Sequence, residues 1–476
     1  MTGQRLTSFI DGAWTPESGG AEVASTNPYR PAETIATAWT AGDAEVAAAV
    51  TAARSQLPDW AGTAPVNRAA RLNALADALH ADAHLLSDQI AREVGKPVAE
   101  ARAEVTVAEN VARYYAAHLQ MADGETFPAP DQSLSYTFRS PVGVVAAITP
   151  FNFPLSIPAW KVIPALAYGC TVVWKPAPAA VGVAARLARA LEAAGLGRTV
   201  NVLFGGAEVV NQIIDADIDA VSFTGSTAAG KSIATRSLQH GKRYQCEMGG
   251  MNATVVMRDA DLDRAASDCA QAAFGYAGQK CTATRRLIIE RSVWEPFLTR
   301  LQAAVDNLSV GDPLAGTTSV GPVISEFQAA VLRANLNAAT AAFGPALVRR
   351  AVSADEGYWA DLAVVGPVSS SDEVARAEVF GPFAVAIPVD GADQAITEVN
   401  SGRYGLSAAI YTQSLDNALA FARQTRAGLV RVNRTTTGLD LAVPFGGEGD
   451  SGLGPKELGT AARDFFTISR TVWLGR

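Results

Sequence analysis

A thiol, a carboxylate and a side-chain amide stand in three short motifs of this chain, each in a setting that suits reactivity. Cys281 lies in Gly278-Gln279-Lys280-Cys281-Thr282, a polar turn between a helical run and the strand-like RRLII. A reactive thiol needs access and polar surroundings, whereas an inert one lies in an apolar core. Cys170, Cys246 and Cys269 read as the inert kind, in apolar or helical surroundings. Glu247 precedes the glycine pair of QCEMGG, where small residues let water and ligand approach. Asn152 sits between two aromatics in the Pro-bounded TPFNFP. Its amide can donate to a developing oxyanion, an interaction worth roughly 3–4 kcal/mol in a transition state. Together these groups describe covalent oxidation of a carbonyl. The thiolate attacks an aldehyde, the Asn152 amide and the Cys281 N–H hold the oxyanion, and hydride leaves to a nicotinamide. Glu247 then activates water to hydrolyse the thioester.

These groups need elements to position them. From Ala44 to Leu119 apolar residues recur at three- and four-residue spacing, which predicts helices, with Gly95-Lys96-Pro97 as a stop. Thr126 to Ser140 changes character and contains the alternating LSYTF, a short strand or arm. Beyond it, strands over Val142–Thr149, Thr171–Lys175, Thr199–Phe204 and Ala220–Thr224 alternate with helices over Ala159–Ala167, Ala179–Ala194, Val209–Ile214 and Ala228–Gln239. That order is the mark of a parallel sheet covered on both faces. A second such series follows Glu247: ATVVM, a helix, RRLIIE, and a helix from Val293 to Leu308. The fold class expected is α/β, two doubly wound domains with a cleft between them. Phe465 to Leu474 alternates as a strand and is expected to pair with Leu134–Phe138, as an intersubunit sheet.

A dinucleotide site would ordinarily show GxGxxG after its first strand, and that motif is absent. Instead Thr224-Gly225-Ser226-Thr227 follows a strand and opens a helix. Such a helix N-terminus can hold a pyrophosphate, or its serine can act simply as an N-cap. Lys175-Pro176 ends the TVVWK strand, where open α/β sheets bind ligands. The lysine either holds a ribose hydroxyl or phosphate there or terminates the strand at the surface.

Composition narrows the class. With 476 residues, 49% hydrophobic and 18% charged, the chain can bury a large core across two or three domains. A net charge of −8 without a dense basic block argues against nucleic acid. The opening residues do not read as a signal peptide, and no apolar run is long enough to span a membrane. Four scattered cysteines fit neither a disulfide scaffold nor a zinc cluster and suit a reducing cytoplasm. The histidines, His80 and His84 four apart among them, match no catalytic motif, and no metal is expected.

Taken with TPFNFPL, AWK (Ala159–Lys161), VVWKPA, FTGST, EMGG, GQKCTA, EVFGPF (Glu378–Phe383) and VPFGG (Val443–Gly447), the chain resembles the aldehyde dehydrogenase superfamily over nearly its whole length. The motifs come in the family's order, with Glu247 and Cys281 at its spacing. The resemblance implies that Cys281 is the nucleophile, Glu247 the general base and Asn152 the oxyanion donor, with Lys161 and Glu457 in a proton relay. It implies that Lys175 binds the adenosine ribose, Ser226 the pyrophosphate and Glu378 the nicotinamide ribose, with Phe380 near the nicotinamide. Thr149, Pro150, Phe151, Pro178, Gly225, Met248 and Gly249 also fall in the implied NAD or NADP site. It further implies a cofactor domain (1–122 and 142–248), a catalytic domain (249–445) and a β-arm (123–141 and 460–476) for assembly as a homodimer or homotetramer.

Some positions depart from the family's pattern. Pro178 replaces a glutamate that many NAD-preferring relatives use on the ribose hydroxyls, so NADP is expected to be tolerated or preferred. Met251, Ala253 and Glu448-Gly449 also differ, without removing a catalytic group. Around Cys281 and near the C-terminus the chain is similar to bacterial α-ketoglutaric semialdehyde dehydrogenases. A carboxylate-bearing substrate wants a cation in the channel. Arg434 and Arg285 are the candidates, each with a surface or structural reading beside it. Phe151, Trp160 and Phe445 could instead form an apolar channel for aromatic or aliphatic aldehydes. A CoA-acylating relative would lack the carboxylate base, so Glu247 points to release of free acid.

Overall fold

Helix formers at helical spacing build the first layer. The computed structural model describes residues 5–17, 19–121, 123–129 and 133–475. Four helices, α1 (Asp43–Gly62), α2 (Pro65–Ala81), α3 (Ala83–Val94) and α4 (Val98–His118), follow one another closely. Pro65 occupies the first turn of α2, where its missing N–H costs nothing. Gly95 closes α3 with φ 70°, a left-handed turn that other residues adopt at a cost. Leu72, Leu75, Leu79, Ile90, Val105 and Val111 pack inward from these helices against α5 (Ser156–Ala167) and α6 (Val181–Ala193).

The first sheet has at its centre five parallel strands, ordered Arg243–Glu247, Ala220–Thr224, Val144–Ile148, Thr171–Lys175, Val200–Val202. Their near-continuous burial is that of a sheet covered on both faces. Because all five run the same way, Thr149, Lys175, Gly225 and Met248 come together along one edge of the sheet. Short strands extend both ends: Gly452–Leu453 beside Arg243–Glu247, and Phe9–Ile10 with Ala13–Trp14 beyond Val200–Val202.

From Glu247 the chain passes through Met248–Met251 into a second sheet. Its order is Val348–Arg350, Leu362–Val365, Phe383–Val389, Thr284–Glu290, Asn252–Val256, Ser407–Tyr411, Leu429–Val432, parallel except at the first strand. The Cys281 turn enters this sheet where Glu247 leaves the other.

The C-terminal strand, Thr467–Leu474, does pair with Leu134–Pro141, but within the same chain, with Thr126–Phe127 as the third strand. An intersubunit origin for this sheet is thereby corrected: a strand pair remote in sequence closes locally once the intervening domains fold. Phe465 and Phe466 are not part of it. They end the helix Gly459–Phe466 and are buried. Residues 130–132 of the expected arm lie outside the described residues.

Candidate active site

Cys281 sits beyond a strained turn. Tyr276 and Ala277 adopt φ of 55° and 49°, unusual for residues with a Cβ and costing about 1–3 kcal/mol each. Surrounding bonds hold the turn. Asn252 Nδ2 donates to the Cys281 carbonyl at 2.7 Å and to the Ala283 carbonyl at 2.8 Å. The fully buried Gln279 accepts from the Ile324 N–H at 2.9 Å. Cys281 is half-buried, and burial pushes its thiol up to about 12, with the Glu247 and Glu378 charges adding to the rise. The N–H groups of Thr282 and Cys281 itself oppose that shift. The thiol therefore rests protonated at neutral pH and needs a base. Asn152 is buried and directs one amide hydrogen to the Gln279 carbonyl at 3.0 Å. That bond ties the amide to the nucleophile's turn and leaves its second hydrogen for an oxyanion.

Glu247 ends its strand, buried, with Oε2 unpartnered. Burial first, then the neighbouring Glu457 charge, hold its carboxyl well above the usual carboxylate range, against Lys161, the Gly447 N–H and Lys456. Lys161 on α5 donates to Glu457 and, at 3.1 Å, to Ser222 Oγ. Ser222 donates to Gln245 Oε1 at 3.0 Å, and Gln245 Nε2 donates to the Lys456 carbonyl at 2.8 Å. Ser222 and Gln245 are register partners on adjacent strands. Neither residue carries a motif signal; strand pairing alone puts them together.

The crevice edge fits a dinucleotide. Lys175 is buried, and among the described residues nothing accepts from its ammonium; desolvation alone pulls it down to about 8. It is not the strand-ending surface lysine that remained open from the sequence. Thr224 Oγ1, two strands away at the same edge of the sheet, is buried and unpartnered. Ser226 does cap α7 (Thr227–Gln239), accepting from the Ala229 N–H at 3.3 Å, and the helix's first N–H groups stay available to an anion. The two readings of this serine are thus compatible. Glu378 Oε1 accepts from the Gly250 N–H at 3.1 Å, and a Cβ on Gly249 would collide with that carboxylate. Phe151 and Phe380 meet edge to face at 6.1 Å between centroids. Pro178 opens the short turn leading into α6 and offers no acceptor side chain.

A pocket of about 290 Å³ opens onto Cys281, walled by Phe153, Trp160, Leu439, Phe445, Glu100 and Lys280. Trp160 and Phe445 stack at a tilt, 5.7 Å between centroids. Phe445 also exchanges two backbone hydrogen bonds of 2.7 Å with Glu457, joining the pocket wall to the Lys161 network. Phe151 faces the other way, toward Phe380. Arg434 is exposed in an outer groove of about 1020 Å³ that shares Gly438, Leu439 and Phe445 with the inner pocket. Arg285 is fully buried and donates to the Gly278, Gly381 and Phe383 carbonyls. It braces the nucleophile turn against the Glu378–Phe383 loop and is closed to substrate.

The model of the aldehyde dehydrogenase family matches residues 14–472. The chain belongs to that family. It is 35% identical to alpha-ketoglutaric semialdehyde dehydrogenase of Bacillus subtilis, over 98% of this chain and 97% of that protein. It is 36% identical to aminoacetaldehyde dehydrogenase of Pseudomonas aeruginosa, over 98% and 95%. Among solved structures, an NAD-dependent aldehyde dehydrogenase from Sinorhizobium meliloti superposes with a TM-score of 0.95 at 30% identity, covering 99% of this chain and 95% of that one. NAD(P)-dependent oxidation of an aldehyde is therefore this chain's chemistry. Among the described residues no helix is long and apolar enough to cross a membrane.

Proposed function

We propose that this aldehyde dehydrogenase converts a short semialdehyde to the free acid, with Cys281 as nucleophile, Asn152 as oxyanion donor and Glu247 as base. The observation that carries this reading is the convergence on the Cys281 turn of Asn152, bonded to the Gln279 carbonyl, and of the Glu247 carboxyl, whose charge acts on the Cys281 thiol. A base of raised affinity is suited to taking the Cys281 proton and, later, that of the hydrolytic water. Cys281 adds to the aldehyde, and the resulting thiohemiacetal oxygen lies against the Asn152 amide. Lys175, Glu378 and the first N–H groups of α7 would hold NAD(P), which when bound would supply the hydride acceptor. Loss of hydride leaves a thioester on Cys281, which Glu247-activated water cleaves. Lys161 and Glu457 carry the proton onward from the base.

The semialdehyde reading rests on the likeness to alpha-ketoglutaric semialdehyde dehydrogenase and on a charged group, Lys280, in the inner pocket. Pro178 supports use of NADP beside NAD, because no carboxylate there repels a 2′-phosphate. Phe127, Leu134, Phe138, Ile468 and Trp473 are exposed on the three-stranded arm, which supports assembly as a homodimer or homotetramer. We place the cofactor domain at 1–122 and 142–248 and the catalytic domain at 249–445. A screen for NAD(P)H formation over aldehydes with and without a second carboxylate tests the function, each run with both cofactors and with and without CoA. Turnover without CoA, lost on Cys281→Ala, supports it. Strict CoA dependence overturns release of a free acid, and turnover persisting in Cys281→Ala overturns the nucleophile.

A further inference from the structure

Three charged side chains line the inner pocket, Glu100, Glu104 and Lys280, and with Lys96 behind them they form two ion pairs. Glu104 on α4 pairs with Lys96, and Glu100, one turn earlier, pairs with Lys280 at 2.8 Å. The first pair is sealed: Lys96 and Glu104 are fully buried, and both Glu104 oxygens have donors. The second is different. Lys280 immediately precedes the nucleophile and lines the pocket, its side chain 11% exposed. Its ammonium has three N–H donors and one partner, Glu100 Oε2. Trp160, 7% exposed on the same pocket wall, has an indole N–H that is buried and unpartnered. Glu100 Oε1 is also unpartnered, but it lies toward the Gly275 backbone, 3.3 Å from where a Cβ there would stand. Of the charged groups on this wall, Lys280 is thus the one with hydrogen-bonding capacity to spare toward the pocket.

We propose that Lys280, held by Glu100 and joined by the Trp160 indole N–H, is the subsite that selects aldehydes with an anionic far end. This inference rests on the aldehyde dehydrogenase reading of the pocket and adds the residues that choose the substrate. Once the aldehyde carbon is on Cys281, the rest of a short substrate lies among Phe153, Trp160, Leu439 and Phe445. A charge carried into such surroundings must be paired, because desolvation is otherwise uncompensated. A carboxylate finds the Lys280 ammonium and an indole N–H. An ammonium-ended aldehyde finds only a carboxylate already engaged with Lys280. A neutral aldehyde binds but gains nothing from the pair. Glu100 keeps Lys280 folded onto the wall and supplies a counter-charge when no substrate is present. Arg431 and Arg434 in the outer groove add positive charge on the approach path, without reaching the inner pocket.

Three probes with the same two-methylene spacer separate the cases: succinic semialdehyde, butanal and 3-aminopropanal. The wild-type enzyme is expected to turn over succinic semialdehyde with a kcat/KM at least tenfold above butanal's, and to use 3-aminopropanal least well. In Lys280→Gln that acid-to-butanal ratio falls about 30-fold, carried by KM, as expected when one partner of a desolvated charge pair is removed. In Glu100→Gln the KM for succinic semialdehyde falls several-fold, because a competitor for Lys280 is gone. Trp160→Phe, which keeps the ring and removes the N–H, lowers the ratio more modestly. A ratio unmoved in Lys280→Gln, with all three aldehydes slowed equally, would show that the pair only supports the turn and would overturn the subsite. Preference for 3-aminopropanal, lost in Glu100→Gln, would overturn the sign of the charge selected. Butanal turnover without any gain for the acid defeats this inference alone, whereas no turnover of any aldehyde defeats the functional reading beneath it.

Discussion

Two buried lysine–glutamate pairs hold α5, one at its N-terminus and one at its middle, and they serve opposite purposes. At the N-terminus of α5, Glu104 Oε1 accepts from the Leu155 and Ser156 N–H groups at 2.9 and 3.0 Å, and its other oxygen takes Lys96. Lys96 in turn lies 3.8 Å from the Phe153 ring centroid and 4.7 Å from that of Tyr276. Every acceptor is used, so this pair locks the Asn152–Phe153 loop to the strained turn before Cys281. Farther along α5, Lys161 meets Glu457, but Glu457 Oε2 and Glu247 Oε2 both remain without donors. A carboxylate with an open oxygen can take up and pass on a proton; a saturated one can only hold its neighbours in place. The same two residue types thus serve geometry at one site and proton transfer at the other, according to what fills the last acceptor.

Breaking the open pair's client has the largest expected effect. Glu247→Gln lowers steady-state kcat by about 10²- to 10⁴-fold, the range for loss of a general base. The pre-steady-state burst of NAD(P)H slows as well, since the same carboxylate takes the Cys281 proton before acylation. The acid limb of the kcat profile disappears with it. In the wild type that limb lies above the usual carboxylate range, because Glu247 must be deprotonated and its burial raises the pH at which that happens. An unaltered limb in the variant would assign it to another group.

The sealed pair is sharpened by Lys96→Met, which keeps the side chain's bulk and strands the Glu104 charge. Removing one partner of a buried pair costs about 3–5 kcal/mol, read as a lower midpoint of urea unfolding. Where protein remains folded, kcat falls but its pH profile stays in place, because Lys96 touches the loop and not the base. A profile that moves with Lys96→Met would erase the distinction between the pairs.

This distinction was not legible in the residue order. The sequence showed the motif residues that touch reactants, since their chemistry needs a particular type at a particular turn: Cys281, Glu247, Asn152 and Lys175. Strand limits such as Thr171–Lys175 and Ala220–Thr224 were also readable, because β-branched and apolar runs bounded by turn residues have few alternatives. Ser222 and Asn252 carried no signal, and Gln245 and Gln279 stood inside motifs without a readable role, for all four matter only through cross-strand and turn contacts made after folding. Tyr276 and Ala277 hide a left-handed turn that glycine would have announced. Arg285, a channel candidate from the sequence, is displaced from the pocket by Lys280 for a related reason. Four residues separate them, but Arg285 points into a nest of carbonyls inside the second sheet's edge, while Lys280 faces the pocket. Side-chain direction across a turn is set by tertiary contacts.

A milder break of the open pair is Glu457→Gln. Two consequences run in opposite senses. Loss of the Glu457 charge removes one cause of Glu247's raised affinity, so the acid limb of kcat moves to lower pH. Loss of the proton's next station slows the plateau, by about tenfold for a relay group that does not touch the reacting atoms. A limb that stays in place or shifts upward would show that the Glu457 charge does not raise Glu247, and the link between the two open oxygens would be broken.

The smallest effect belongs to Ser222→Ala. Ser222 Oγ receives Lys161 at 3.1 Å and donates to Gln245 at 3.0 Å or, alternatively, to Glu457 Oε1 at 3.3 Å, so it orients the ammonium without holding its charge. The loss of these two bonds costs about 1–2 kcal/mol of stability. Lys161 keeps Glu457, and the kcat plateau is expected to change by less than about threefold. The diagnostic reading is the solvent deuterium isotope effect on kcat. If protons leave Glu247 through Glu457 and Lys161 alone, the isotope effect of Ser222→Ala equals the wild type's. If it rises, the hydroxyl is itself a station, the open network extends along the register pair Ser222–Gln245 to the Lys456 carbonyl, and the contrast with Glu104 becomes one of whole chains of donors rather than of one spare oxygen.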